Sequence, residues 1–163
     1  MTLPDALKRR ALAAAMAATV AVGAEGIKLT PYYDPPGILT VCRGHTGPDV
    51  VKGRKYSVDE CNKLMTEDMA KAVAKVDACV PGLPVHVLAA FGDATFNMGS
   101  TIACDTRKST AARLLKAGDI IGACNQLLRW NKASVGGVMV PLPGLTKRRA
   151  EDQHLCLTGE LPA

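Results

Sequence analysis

Aromatic side chains are scarce in this 163-residue chain, which has one Trp, three Tyr and two Phe. The sequence also lacks any nucleic-acid-binding motif. Its net charge of +5 and pI near 9.0 favour an anionic partner such as nucleic acid, acidic lipid or an anionic cell envelope. Because the nucleic-acid alternative rests on charge alone, we predict no nucleic-acid partner.

Long hydrophobic runs are absent as well. A stretch of fourteen residues without a charge, ALAAAMAATVAVGA at residues 11–24, follows Lys8, Arg9 and Arg10. As a helix it spans about 21 Å, short of the roughly 30 Å hydrocarbon core of a bilayer, and its Ala content makes it weakly apolar. Three interpretations stay open: the apolar region of a signal peptide, a poorly held membrane anchor, or the first helix of a soluble fold.

Metal-binding patterns are also missing, because His is rare and no two of the six cysteines form a CxxC pair. We therefore predict no metal and no organic cofactor. Six cysteines can be reduced thiols in a cytosolic protein or three disulfides in an exported one, and composition leaves both open.

Periodicity and capping signals predict an α+β fold in a single domain over residues 1–163. A helix is expected over residues 6–24. Two short strands, KLTPYYD and ILTVCR, are joined by an Asp-Pro-Pro-Gly turn, and residues 44–56 form a third strand or a loop. A long connecting helix begins at Ser57, where S-V-D-E is a capping box, and ends before Pro81.

The rest of the chain is helical in pattern, and residues 132–144 are predicted to form its longest loop. The predicted helices are Pro84–Met98, Ser109–Ala117, Asp119–Asn131 and Leu145–Leu157. The domain then divides into a first helix (1–24), a small α/β lobe (25–60), a connecting helix (61–80) and an all-α lobe (81–163). A groove between the lobes is the expected place for a site.

Three polar residues border the predicted hairpin, namely Glu25, Asp34 and Thr40. Glycoside hydrolysis needs an acid that protonates the leaving oxygen and a second group that activates water. Glu25 follows an apolar helix, where burial and the negative helix end should raise its pKa and keep it a proton donor. Asp34 begins an exposed turn and should stay ionised, while the Thr40 hydroxyl can hold a water. Taken singly, such residues are more often turn, strand or helix-end formers.

The combined pattern, Glu-x8-Asp-x5-Thr followed by Gly-His, resembles the phage-type lysozymes, glycoside hydrolase family 24. In this chain it reads Glu25, Asp34, Thr40 and Gly44-His45. Later segments are similar to the family's later helices in the same order, so that the resemblance covers about residues 24–157: FNMG (96–99), STAARLLKAGD (109–119), QLLRW (126–130) and GLTKRRAED (144–152).

The resemblance implies a lysozyme-like fold and a muramidase that lyses a host cell by cutting the β-1,4 bond between N-acetylmuramic acid and N-acetylglucosamine in peptidoglycan. Glu25 would be the general acid, and Asp34 and Thr40 would position and activate the attacking water, with inversion at the anomeric carbon. Asn97 and the 131–144 loop would contribute to the wall of the cleft. His45 is interpreted as a structural, hydrogen-bonding residue.

Two alternatives remain beside this interpretation. A lytic transglycosylase can work with one acidic residue, and the spacing of Asp34 and Thr40 argues against it. A non-catalytic wall-binding protein on a lysozyme-like scaffold would need a degraded site, whereas this site looks intact. For the muramidase interpretation we expect a monomer whose partner is the glycan strand, with Arg129, Lys132 and the Lys147–Arg149 run attracting an anionic wall or membrane surface.

The N-terminal segment resembles that of endolysins with a signal-anchor-release sequence. This implies export, transient tethering to the inner membrane of a Gram-negative host through residues 11–24, and release into the periplasm. A helix too short and too weakly apolar to stay inserted meets the physical requirement for release. An ordinary buried first helix is the alternative.

Export would favour disulfides over free thiols. The predicted bridges join the second strand to the first turn of the connecting helix, the end of that helix to the helical lobe, and two late helices to each other: Cys42–Cys61, Cys79–Cys104 and Cys124–Cys156.

Overall fold

The computed structural model describes residues 1–24 and 26–163, and Glu25 lies outside the described residues. The helices are α1 (Leu3–Ala24), α2 (Val58–Cys79), α3 (Val85–Met98), α4 (Thr101–Cys104), α5 (Thr110–Ala117), α6 (Ile120–Gln126) and α7 (Pro143–Thr158), with a 3₁₀ turn at Leu127–Arg129 after α6. The strands are β1 (Lys28–Tyr33), β2 (Leu39–Cys42), β3 (His45–Thr46), β4 (Lys132–Val135) and β5 (Val138–Pro141). The α+β class predicted from the sequence is confirmed.

Helix α1 begins three residues earlier than predicted because Thr2 caps it. The Thr2 hydroxyl accepts a hydrogen bond from the Asp5 N–H at 3.4 Å, and the Asp5 carboxylate accepts one from the Thr2 N–H at 3.3 Å. The buried face of α1 consists of small side chains, which allow close packing against α2, α3 and α7: Ala13, Ala17, Val20 and Ala21.

Several apolar side chains of α1 are exposed, as are the charged Asp5 and Lys8 near its start. Leu3, Leu7, Leu12 and Val22 are 76%, 57%, 55% and 46% exposed, and residues 11–24 contain no charged side chain. Neither α1 nor any other helix within residues 1–24 and 26–163 has the length and hydropathy to cross a bilayer.

The small lobe is an antiparallel sheet in the order β1–β2–β3. The Asp-Pro-Pro-Gly turn joins β1 to β2, and Gly37 supplies the positive φ of 84° at its end. The sheet covers a small core made of Val41, Val50, Tyr56 and the Cys42–Cys61 disulfide.

Helix α2 connects this lobe to the helical lobe. It begins at the predicted capping box, in which Glu60 N–H donates to the Ser57 hydroxyl at 3.1 Å and the Glu60 carboxylate accepts from Ser57 N–H at 2.8 Å. Near its other end, the buried Asp77 accepts hydrogen bonds from Arg9 and Arg10 of α1. Burial alone would raise the pKa of Asp77, but the bonds from the two guanidinium groups outweigh it and hold that pKa below the ordinary value of 3.8.

Helix α3 forms the centre of the helical lobe, where α1, α2 and α7 pack around it. Its contact with α2 is close because it has Gly92 at the crossing. A Cβ at position 92 would lie 2.6 Å from a methyl carbon of Val73, so any larger residue would push the two helices apart. This packing fixes the end of α3, which faces the small lobe.

The prediction of an all-α lobe over residues 81–163 is wrong in one part. The expected loop at 132–144 contains the antiparallel hairpin β4–β5, which turns at Gly136 and Gly137 with φ of 58° and 83°. Two adjacent glycines accept the positive φ values of a two-residue hairpin turn, and that signal was present in the sequence. The helix predicted over 119–131 also ends early, at Gln126, and the short α4 was not predicted.

Three disulfides link the elements, and they pair the cysteines as the sequence predicts. Cys42–Cys61 joins β2 to α2, Cys79–Cys104 joins α2 to α4, and Cys124–Cys156 joins α6 to α7. Helix α2 is therefore covalently tied to both lobes.

Candidate active site

A cleft of about 570 Å³ lies between the small sheet and the C-terminal end of α3. It is lined by Asp34 and Thr40 from the hairpin and by Asn97 from α3, so the structure brings three of the predicted site residues together. Ala24 and Gly26 also line it. Glu25, which stands between them in the sequence, lies outside the described residues.

Asp34 is held by the turn that follows it. Its N–H donates to the Ile38 carbonyl at 3.0 Å, and its Oδ1 accepts from the Ile38 N–H at 2.7 Å. The Gly37 N–H closes the turn on the Asp34 carbonyl at 2.8 Å. These bonds fix the carboxylate at the edge of the cleft and leave Oδ2 directed toward Thr40.

Thr40 is 3% exposed and faces Asp34 across the hairpin. Its Oγ1 lies 3.3 Å from Asp34 Oδ2 and 3.0 Å from the Ile38 carbonyl oxygen. The hydroxyl has one proton, so it can donate to only one of these acceptors at a time. Both the hydroxyl oxygen and the Asp34 carboxylate can still accept hydrogen bonds, so a water beside the pair can donate to both of them.

The backbone after β2 turns sharply into the cleft. Cys42 has a φ of 64°, a left-handed conformation that is uncommon for a residue with a side chain, and Gly44 follows with a φ of 87°. Both residues line the cleft together with Arg43. Because Cys42 is bonded to Cys61 on α2, the disulfide helps to hold this turn against its conformational cost.

The opposite wall of the cleft rests on a buried ionic cluster. Phe96 lines the cleft, and the Arg148 guanidinium lies 5.7 Å from its ring centroid. Arg148 in turn donates two hydrogen bonds to Asp93, at 2.8 and 2.6 Å. Arg149 also lies 3.3 Å from Asp93 and 2.9 Å from Asp152. Burial and the neighbouring Asp93 charge hold the pKa of Asp152 well above its ordinary value.

This cluster corrects the sequence-based view of the Lys147–Arg149 run. Arg148 and Arg149 are 1% and 0% exposed, so they support the fold and do not attract an anionic surface. The missed signal was Asp93, a carboxylate within the apolar sequence of α3, because a buried carboxylate requires a cationic partner.

His45 is buried between two carboxylates. Its Nδ1 lies 2.5 Å from Asp68 on α2, and its Nε2 lies 3.0 Å from Asp49. Burial alone would lower the pKa of His45, but the hydrogen bonds to Asp68 and Asp49 outweigh it and raise the pKa above the ordinary value of 6.5. The residue joins β3 to α2, which agrees with its interpretation as structural.

The predicted wall residues separate into two groups. Asn97 lines the cleft beside Asp34 and Thr40, whereas Lys132 and Met139 of the β4–β5 hairpin line a different cavity of about 320 Å³. That cavity borders Met98, the residue after Asn97.

Residues 22–152 match the family model described as phage lysozyme, and the chain belongs to this family. Its curated relatives include SAR-endolysins. The SAR-endolysin of Bacteriophage PS119 is 33% identical and aligns over 98% of this chain and 99% of the relative. The SAR-endolysin of Enterobacteria phage P21 is 37% identical over 85% of this chain and 80% of its own length.

A solved structure supports the same assignment. An endolysin from Escherichia coli O157:H7 phage FAHEc1 superimposes with a TM-score of 0.75 at 26% identity, over 91% of this chain and 94% of that one. These similarities favour a lysozyme over the transglycosylase and wall-binding alternatives.

Proposed function

We propose that this chain is a phage endolysin that hydrolyses the β-1,4 bond between N-acetylmuramic acid and N-acetylglucosamine in host peptidoglycan. The observation that carries the proposal is the placement of Asp34 and Thr40 3.3 Å apart in a cleft that also contains Asn97. Two facing oxygen groups at the edge of a cleft can orient one water for attack on a bound sugar.

In this mechanism Glu25 is the general acid that protonates the leaving glycosidic oxygen. Its sequence neighbours Ala24 and Gly26 both line the cleft that holds Asp34, which supports this role. Asp34 accepts a proton from the water while Thr40 fixes the water's orientation. Attack from the face opposite the acid inverts the anomeric carbon without a covalent intermediate.

The N-terminal helix is proposed to act at the membrane before the enzyme folds fully. Residues 11–24 would tether the exported chain to the inner membrane, and release would deliver it to the periplasm. The exposed Leu12 and Val22, on a segment that contains no charged residue between positions 11 and 24, support this stage. The disulfides fit an oxidising compartment.

The test is product analysis of purified peptidoglycan by mass spectrometry. Hydrolysis yields muramic acid with a free reducing end, while a 1,6-anhydro product would show that the chain acts as a transglycosylase. Glu25→Gln should lower turnover at least a hundredfold, since it removes the general acid. Wild-type activity in that variant would remove Glu25 from the mechanism.

A further inference from the structure

A second polar cavity of about 310 Å³ adjoins the catalytic cleft. Gly44 and Phe96 line both cavities, so the second one continues the cleft past this edge toward α2 and the start of α4. Neither the acid–water chemistry nor the cleft wall described above accounts for its lining.

Two lysines line this cavity from one side of α2. Lys71 and Lys75 are one helical turn apart, and both side chains are exposed. Lys71 Nζ lies 3.6 Å from Asp68 Oδ1, but the other oxygen of that carboxylate is already paired with His45 at 2.5 Å. Lys75 forms no ion pair with any described residue. The cavity therefore has more positive than negative charge on its α2 side.

The facing wall offers hydroxyl groups. Thr46 and Ser100 both line the cavity on this side. Ser100 precedes α4, and its side chain forms no capping bond to that helix. Its hydroxyl can therefore donate a hydrogen bond to a ligand in the cavity.

We propose that this cavity binds a carboxylate of the peptide stem attached to the glycan strand, an inference that rests on the proposed function. Two ammonium groups and a donating hydroxyl suit an anionic oxygen pair, whereas the sugars of an intact strand are uncharged, because the lactyl carboxyl of muramic acid is amide-linked to the peptide. The peptide on muramic acid ends in free carboxylates, and the shared Gly44–Phe96 edge lets one strand occupy both cavities. The lysines are substrate-binding residues and take no part in bond cleavage.

The test compares two substrates prepared from one peptidoglycan sample: intact strands, and strands whose stem-peptide carboxylates have been converted to amides with carbodiimide and ammonia. Lys71→Gln with Lys75→Gln should raise KM on intact strands roughly fivefold and leave kcat unchanged, as two partly exposed charge contacts predict. On the amidated strands, which lack these carboxylates, the same variant should match wild type. The double variant Lys55→Gln with Lys63→Gln, which makes the same charge change at exposed positions outside this cavity, should match wild type on both.

A second variant separates binding from folding. Ser100→Ala removes a hydroxyl that lines the cavity and makes no capping bond in the fold, so urea unfolding should show nearly unchanged stability while KM rises on intact strands only. An equal rise in KM on both substrates, or no rise on either, would overturn the proposal. If wild type cleaves neither substrate, the proposed function itself fails, which is a distinct result.

Discussion

Helices α1 and α2 are both 22 residues long, but their exposed faces differ. The outer face of α2 is charged, with Lys63, Glu67, Lys71 and Lys75, whereas α1 has no charged residue between positions 11 and 24. Packing against a core requires only one apolar face. The uncharged outer face of residues 11–24 is therefore not required by packing, and it fits a helix segment that also contacts lipid.

The two helices also differ in how they are attached. Helix α2 contains Cys61 and Cys79, and each forms a disulfide with another element. Helix α1 has no cysteine and is held by small apolar contacts and by the pairing of Arg9 and Arg10 with Asp77. Helix α2 is therefore covalently fixed to both lobes, whereas α1 is held by non-covalent contacts.

The largest expected effect comes from a charge on the outer face of α1. Ala15→Glu should weaken membrane retention of the exported chain by about 2 kcal/mol, or roughly thirtyfold, because a carboxylate is costly within a bilayer. Folded stability should change by less than about 0.5 kcal/mol, since position 15 is exposed. Cell fractionation and urea unfolding measure the two effects separately.

Ala15→Leu is the matched control, and it should increase membrane retention with equally little effect on folding. If both variants fractionate like wild type, the apolar face of α1 has no role at a membrane.

The next effect concerns the covalent attachment of α2. Replacing Cys42 and Cys61 together by Ala should cost about 3 kcal/mol of unfolding free energy, as expected for a loop of this length. The turn at Cys42 would also lose its restraint, so muramidase activity should fall more than the loss of folded protein explains. Activity that simply follows the folded fraction would show that the disulfide does not shape the cleft.

The ion pairs between α1 and α2 should contribute somewhat less to stability than the Cys42–Cys61 disulfide. Asp77→Asn should destabilise the protein by about 2 kcal/mol at neutral pH, because it leaves two arginines without their carboxylate. The pKa of Asp77 is lowered in the fold, so its contribution exists above the ordinary value of 3.8 and is lost as pH falls through the folded pKa. The difference between wild type and variant should therefore shrink in acid.

Asp59→Asn, at an exposed position on α2, is the control for that experiment and should have little effect. A difference between Asp77→Asn and wild type that stays constant down to pH 2 would contradict the ion-pair account.

The smallest losses of stability are expected from changes to the N-cap residues of the two helices. Ser57→Ala should cost about 1 kcal/mol, since it removes the capping box of α2. Thr2→Ala should cost less, because the bond that the Thr2 hydroxyl accepts from the Asp5 N–H is long, at 3.4 Å, and the bond that it donates to the Asp5 carboxylate, at 2.6 Å, is exposed to solvent. Thermal unfolding of both variants measures the two losses of stability. A larger loss for Thr2→Ala than for Ser57→Ala would show that the cap of α1 contributes more than the cap of α2.

Local signals explain which parts of the fold were predictable. The Asp-Pro-Pro-Gly turn and the Ser57 capping box depend on residues within four positions of each other, and both were predicted correctly. The same turn brought Asp34 and Thr40 together, so this part of the candidate site followed from local geometry.

Features that depend on distant contacts were not predictable in the same way. The burial of Arg148 depends on Asp93, 55 positions away, and nothing near Arg148 in the sequence indicates that partner. The β4–β5 hairpin had a local signal in Gly136 and Gly137, but its strands are short and mostly exposed, so hydrophobic alternation was weak.

The central claim is that α1 serves first at the membrane and then in the enzyme. Its most direct measurement is fractionation of expressing cells before and after membrane depolarisation, with muramidase activity followed in each fraction. We predict inactive protein in the inner-membrane fraction beforehand, and soluble, active protein in the periplasm afterwards. Protein that stays in the cytoplasm throughout, or that is soluble and active in the periplasm before depolarisation, would contradict the claim.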